Sequence, residues 1–294
     1  MPESSSSPQP DSRTRREEKT TAKSREVGAA LHRARKRAGL NQPELSRALG
    51  WSNPKVSHAE HGTRGAPILD IANFLARADV SPDEFQRVMA LAKLPANGYS
   101  LQRHPAGLPD RLHTLAFLAS TARSITVYEP YDIPDLLQTE QYAEAVMRRG
   151  HFVPGKVIAE GMTARQKRQA VFEDDKRDCD STFYIDEFAL RNPAMRDHMG
   201  EQLVRLALAT CRQRCHIRIV PATGVDRDIR NGFALFQNAH DDTVLTVNTL
   251  TAMVISEQGG DLAPYQQKIR TLETTALNEL ESVDRINAIA TTVT

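Results

Sequence analysis

Between Asn41 and Gly62 the chain reads NQPELSRALGWSNPKVSHAEHG, and its prolines and glycines leave little freedom in how it folds. A proline lacks the N–H that an interior helical residue donates, so it is harmless only in a first turn. Pro43 and Pro54 each stand two residues after a side chain suited to cap a helix, Asn41 and Ser52. Glu44, three residues after Asn41, completes a capping-box arrangement. Gly50 provides a tight exit from the first apolar pattern and Gly62 ends the second. Leu45, Ala48 and Leu49 face inward from the first segment, and Val56 and Ala59 from the second. Two short helices around one sharp turn are expected, with Trp51 anchoring the turn in the core.

The flanking sequence supplies an interior for this pair. EVGAALHRARKRAG places Val27, Ala30, Leu31 and Ala34 on one face and stops at Gly39. PILDIANFLARA and SPDEFQRVMALAKL add two further helical patterns, so residues 25–95 read as an all-α module. Residues 1–24 are rich in Ser, Pro, Thr and charge and read as a disordered basic tail. Arg13, Arg15, Arg16, Lys19, Lys23 and the adjoining Arg25 would give that tail a non-specific attraction for phosphates. A linker is expected over residues 96–107, within PANGYSLQRHPAGLP, followed by a regulatory and dimerisation domain over 108–294.

That second part mixes periods. DRLHTLAFLASTA, TEQYAEAVMRRG, EGMTARQKRQAVF and MRDHMGEQLVRLALATCRQ read as helices, and LAPYQQKIRTLETTALNELESV as one long closing helix. SITVYEP and CHIRIVPA are extended, STFYIDEFAL holds a strand ending at Asp186 and Glu187, and FALFQNA, DTVLTVNTL and AMVISE follow closely enough for an antiparallel meander. The expected fold class is α+β: an all-α N-terminal domain, then a larger mixed domain with a partly antiparallel sheet.

The formal net charge of +1 conceals an asymmetry, with 13 Lys/Arg against 7 Asp/Glu in residues 1–65 and 25 against 30 afterwards. A basic end on a mildly acidic body points to a polyanion partner for the first part alone. No run of 18 apolar residues and no secretory leader is present, so no membrane is expected. Three sparse cysteines, Cys179, Cys211 and Cys215, suit a reducing compartment and a cytoplasmic location.

Two helices joined by a short turn, the second exposed, are the geometry that sets one helix into the major groove of double-stranded DNA. Asn53 carries an amide able to pair bidentately with adenine, and Lys55 can reach guanine acceptors or a phosphate. Ser57 and His58 lie on or near the same outward face. Gln42, His61 and Arg64 are placed for phosphate contacts, and Arg33, Lys36 and Arg37 add attraction along the preceding helix. A recognition helix buries little surface, and operators present two half-sites, so a homodimer is expected.

The stretch GAALHRARKRAGLNQPELSRALGWSNPKVSHAEHGTR resembles the Cro/C1-type helix–turn–helix of the xenobiotic-response-element (XRE) regulators. That resemblance implies that Gln42 contacts the backbone and orients the reading helix, and that Asn53 and Pro54 take the first base-facing positions. Pro54 departs from the small or hydroxyl residue usual there, and Ala59 is a smaller core plug than the usual Ile or Leu. VYEPYDIPDLLQTEQYAEAVMR, TARQKRQAVF, FYIDEFALRNP, MGEQLVRLALA and HIRIVPATG are similar to the C-terminal domain of the actinobacterial Scr-like, antitoxin-type transcriptional regulators. The resemblance spans about residues 26–280 and implies a regulator sensing a small-molecule effector, a small partner protein, or both.

Catalytic patterns are sparse. Asp186 and Glu187 follow one another at a strand end and should point to opposite faces, a poor pair for shared acid–base work. Cys211, Cys215 and His216 lack a second ligand cluster, and there is no phosphate loop, nucleophile elbow or HExxH string. No enzyme, cofactor or metal is expected. A ligand cavity in the body is expected instead, lined by Tyr128, Tyr184 and Phe233 among other aromatics and rimmed by Glu129, Glu187 and Arg191. The expected function is a sequence-specific DNA-binding transcriptional regulator. The alternatives are an antitoxin-like protein-interaction module and a metabolic enzyme with a vestigial helix–turn–helix.

Overall fold

The computed structural model describes residues 20–63, 65–95, 98–103, 112–149, 155–174, 176–222, 231–249 and 252–293. Most of the tail expected over 1–24 therefore lies outside the described residues, as does Arg64. Two compact units divide between Leu94 and Pro95. Among the described residues no helix is long and apolar enough to cross a membrane.

The first unit is a bundle of α1 (Ala22–Arg37), α2 (Gln42–Leu49), α3 (Asn53–His61), α4 (Ile68–Arg77) and α5 (Pro82–Ala92). Its core gathers Leu31 and Ala34 of α1, Leu45 of α2, Val56 of α3, Phe74 of α4 and Val88 of α5. The first helix starts earlier than the composition suggested. Thr21 and Ser24 form a reciprocal cap, and Lys23 donates 2.7 Å to the Leu94 carbonyl, closing the end of α5. Arg25 donates 2.7 Å to the Thr20 carbonyl. Lys23 and Arg25 thus belong to the folded bundle; a cap and two charge-to-carbonyl bonds outweigh the polar composition.

The second unit is built on a seven-stranded mixed sheet, ordered β1-β7-β6-β5-β2-β3-β4. Its strands are β1 (Tyr99–Arg103), β2 (Ala122–Glu129), β3 (Asp180–Asp186), β4 (Cys215–Val220), β5 (Phe233–Asn238), β6 (Thr243–Asn248) and β7 (Ala252–Ser256). β2, β3 and β4 run parallel, and the other pairings are antiparallel, including the expected meander β5–β6–β7. Helices α6 (Leu112–Thr121), α7 (Glu140–Arg149), α8 (Gly155–Phe172), α9 (Glu187–Leu190), α10 (Arg196–Ala209), α11 (Gly259–Thr275) and α12 (Glu279–Val293) surround it. Tyr128, Tyr184, Phe233 and Val247 form one apolar layer with Leu262 and Leu272 of α11. The α+β class is as expected from the alternating and helical periods.

Two local expectations are corrected. Residues 99–103, read as linker, form β1 and pair antiparallel with β7, from Tyr99 opposite Ser256 to Arg103 opposite Ala252. The strand β3 ends at Asp186, at the strand end expected there; its carboxylate accepts the Phe188 N–H at 2.9 Å and turns the chain into α9. The closing helix is two helices. Asn278 and Glu281 cap α12 reciprocally, and Arg218 of β4 donates to the carbonyls of Glu273, Ala276 and Leu277 at the end of α11. Leu277 N–H and Ser282 Oγ then occupy the backbone of Ile219, so the break covers the outer edge of β4.

Candidate nucleic-acid interface

The turn between α2 and α3 is built as its residues dictate. Asn41 Oδ1 accepts the Glu44 N–H and Glu44 Oε2 accepts the Asn41 N–H, both at 2.8 Å. Gly50 and Gly62 close the two helices with φ of 65° and 67°, the left-handed region that glycine enters without a Cβ penalty. Ser52 Oγ accepts the Lys55 N–H, and Trp51 packs against Phe74 with ring centroids 6.4 Å apart.

Helix α3 is divided cleanly by burial. Val56, Ala59 and Glu60 are buried, while Asn53, Pro54, Lys55, His58 and His61 are exposed and Ser57 is half-buried. A polar outer face therefore stands on a helix whose inner face is fastened. Some of its side chains are already engaged. Lys55 Nζ lies 2.9 Å from Asp70 Oδ2 of α4 and 4.1 Å from the centre of the Trp51 ring. His58 Nδ1 is 2.9 Å from Thr63 Oγ1, and His61 Nδ1 is 2.8 Å from the Ser57 carbonyl.

The fastening is a buried polar cluster that sequence reasoning missed. Glu60 is paired with Arg35 of α1, accepts the Gln42 amide at 2.8 Å, and lies 3.1 Å from His32 Nδ1. Burial alone would raise the Glu60 carboxyl, but hydrogen bonds from Arg35, Gln42 and His32 outweigh it and hold it below the ordinary carboxylate range. The signal was present in the period: Glu60 follows Val56 by four residues, on the same inward face. Gln42, expected to contact phosphate, thus already reaches α3 from the first turn of α2. Gly28 permits the close approach of α1, since a Cβ there would lie 2.8 Å from the Gly62 backbone nitrogen.

The basic residues of α1 separate. Lys36 is exposed one turn after His32. Arg33 instead neighbours Arg87 and Glu84 of α5, and Arg37 donates to Glu84 at 2.6 and 2.7 Å.

Of the residues expected to share one cavity in the second unit, Glu129 and Phe233 line the same cleft, whereas Tyr128, Tyr184, Glu187 and Arg191 are not part of its wall. Tyr128 and Glu129 are neighbours on β2 and take opposite faces of the sheet. Tyr128 and Tyr184 are core residues under α11, with Phe233 packed 5.8 Å from Tyr128 and 4.9 Å from Tyr265. Glu187 is buried and ion-paired to Arg191 and Arg285, at 3.1 and 2.6 Å. Cys179 and Cys215 are buried and Cys211 is exposed. Among the described residues no group of three His, Cys, Asp or Glu side chains is placed to hold a metal ion.

A capped helix pair, a glycine turn and an exposed polar second helix define a helix-turn-helix unit with a DNA-binding regulatory role. Residues 26–88 match the family described as a helix-turn-helix domain. Residues 112–288 match a second family, described as a domain of unknown function (DUF5753), over more than half of the chain; the chain belongs to that family. No curated protein and no solved structure matches it.

Proposed function

We propose that this chain is a sequence-specific transcriptional regulator of the XRE type, acting as a homodimer in the cytoplasm. The observation that carries the reading is the exposed run Asn53, Pro54 and Lys55 at the start of α3, opposite the buried Val56 and Glu60. N-terminal residues of a recognition helix meet base edges, so Asn53 and Lys55 read bases while Pro54 packs on a thymine methyl. Ser57 and His58 extend the contact. Gln42, His61, Arg64 and Lys36 hold the phosphate backbone, with a smaller long-range contribution from Arg33.

The second unit regulates rather than catalyses, sensing a small molecule or a small partner protein, as its resemblance to Scr-like, antitoxin-type regulators implies. The test is selection of duplexes from a random pool by the full chain, followed by gel-shift titration of N53A/K55A. Loss of specific binding by more than about tenfold, with unchanged circular dichroism, is expected. An unchanged footprint and affinity would remove α3 from the recognition role.

A further inference from the structure

At the C-terminal end of β2 the second unit holds a cleft of about 220 Å³. Ile125, Val127 and Glu129 occupy the same face of the strand, two residues apart, and line it. Leu115 of α6 and Phe236 of β5 add apolar wall. Carboxyls and guanidinium groups gather at one end, and nearly all are committed. Asp132 accepts from Arg149 of α7 at 2.6 and 2.9 Å, Asp135 is paired with Arg168 of α8, and Arg165 of α8 donates to Gln138 at 2.8 Å.

Glu129 is the exception, with neither a hydrogen bond nor an ion pair among the described residues. The carboxyl lies against the backbone of Gly232, where a Cβ would come within 2.8 Å of both its oxygens and push the side chain aside. Burial, then Asp135 and Asp132, push the Glu129 carboxyl up to about 8, against the opposing pull of Arg165. Among the acids of this group, the Glu129 carboxyl is the one left open to pair with a cationic head group that enters along the apolar wall.

We propose that this cleft binds a small organic cation, an alkylammonium, whose charged head pairs with Glu129 and whose hydrocarbon lies on Leu115, Ile125, Val127 and Phe236. The volume is below the range of roughly 300 Å³ and upward that drug-sized ligands fill, which limits the guest to a short chain. Binding releases a proton from Glu129, because the ammonium stabilises the ionised carboxylate that the empty cleft disfavours. As an effector site, the cleft rests on the sensing role proposed above.

The experiment is calorimetric titration of the full chain near neutral pH with n-hexylammonium, hexanoate and 1-hexanol, in two buffers of different ionisation enthalpy. Hexylammonium is expected to bind best, to release close to one proton per chain, and to bind more tightly as pH rises toward about 8. E129Q is expected to lose at least about tenfold in affinity and the proton release. The proton count is read on the unaltered chain, so the test holds even where a variant fails to fold. Tighter binding of hexanoate or hexanol, no proton release, undiminished binding to E129Q, or no heat at millimolar ammonium would each overturn the site. Repeating the duplex titration with hexylammonium present tests its use separately: altered DNA affinity supports an effector site, and unaltered affinity overturns that role while the calorimetry still decides binding.

Discussion

The Glu60 carboxylate on the inner face of α3 accepts a hydrogen bond of 2.9 Å from the Arg35 guanidinium on α1, with both side chains almost wholly buried. The helix that presents Asn53 and Lys55 is therefore held to its scaffold by charge as well as by Val56 and Ala59. A buried ion pair need not add net stability over an apolar replacement, but removing one partner strands the other.

E60A should accordingly destabilise the chain by about 3 kcal/mol or more, read as a lowered midpoint in denaturant. Glu60 titrates below its unfolded value, so its contribution is present above the ordinary carboxylate range and is lost as pH falls through the folded value. Wild-type melting should fall more steeply than that of E60Q once pH drops below about 4.5. Parallel acid profiles for the two proteins would contradict the pairing.

Gly28→Ala reverses the usual rule for a helix interior. Propensity alone would stabilise α1 by about 1 kcal/mol. The added Cβ would meet the backbone of Glu60 and Gly62, where no flexible side chain can give way. Overpacking of this kind costs about 1–3 kcal/mol, so a lower melting temperature is expected; a rise would show that α1 and α3 can separate freely.

Lys55 must exchange Asp70 and Trp51 for DNA if it is to read a base or hold a phosphate. D70N should therefore tighten duplex binding several-fold by removing the competing carboxylate and its repulsion of phosphate. K55A should weaken it and, for a phosphate contact, reduce the slope of log affinity against log salt by about one. Fluorescence anisotropy across a salt series reads both. A weaker D70N together with an unchanged slope for K55A would place Lys55 outside the contact.

The raised Glu129 carboxyl makes a second pH prediction of opposite sign. A group that holds its proton more tightly when folded stabilises below its unfolded value, and that stability declines with pH until the folded value of about 8 is passed. E129Q stays neutral, so its melting temperature should pull ahead of wild type from about pH 5 to about 8 and keep a constant lead above that. A lead independent of pH would mean that Glu129 is not titrating in this range.

Thiol alkylation of the native chain, followed by mass spectrometry, should mark Cys211 first. Cys179 and Cys215 are buried, and burial pushes the Cys215 thiol up to about 12, leaving almost no thiolate near neutral pH. Equal labelling of Cys215 would indicate that the edge around β4 opens readily.

What could be read along the chain follows a physical division. Helix caps, first-turn prolines and left-handed glycines act over three or four residues, so Asn41, Pro43, Gly50, Ser52, Pro54 and Gly62 announced α2 and α3. Close succession of short extended segments likewise marked β5, β6 and β7 as a meander. β1 was hidden because its partner, β7, lies some 150 residues onward, from Ser100 opposite Ile255 to Arg103 opposite Ala252. The break between α11 and α12 was hidden for a related reason: Arg218 and Ile219 of β4 hold it from outside the helical pattern.

The candidate sites divide in the same way. By itself the sequence determined a reading helix and its outward residues, because a helix face follows from spacing alone. Only the tertiary structure decided that Glu60 would be fastened by Arg35, and that Lys55 would rest against Asp70. It also parted Tyr128 from Glu129 and left Glu129 beside Gly232 with two acids for neighbours. Burial, charge and room around a side chain are set by whichever distant segments pack against it, and no local period records them.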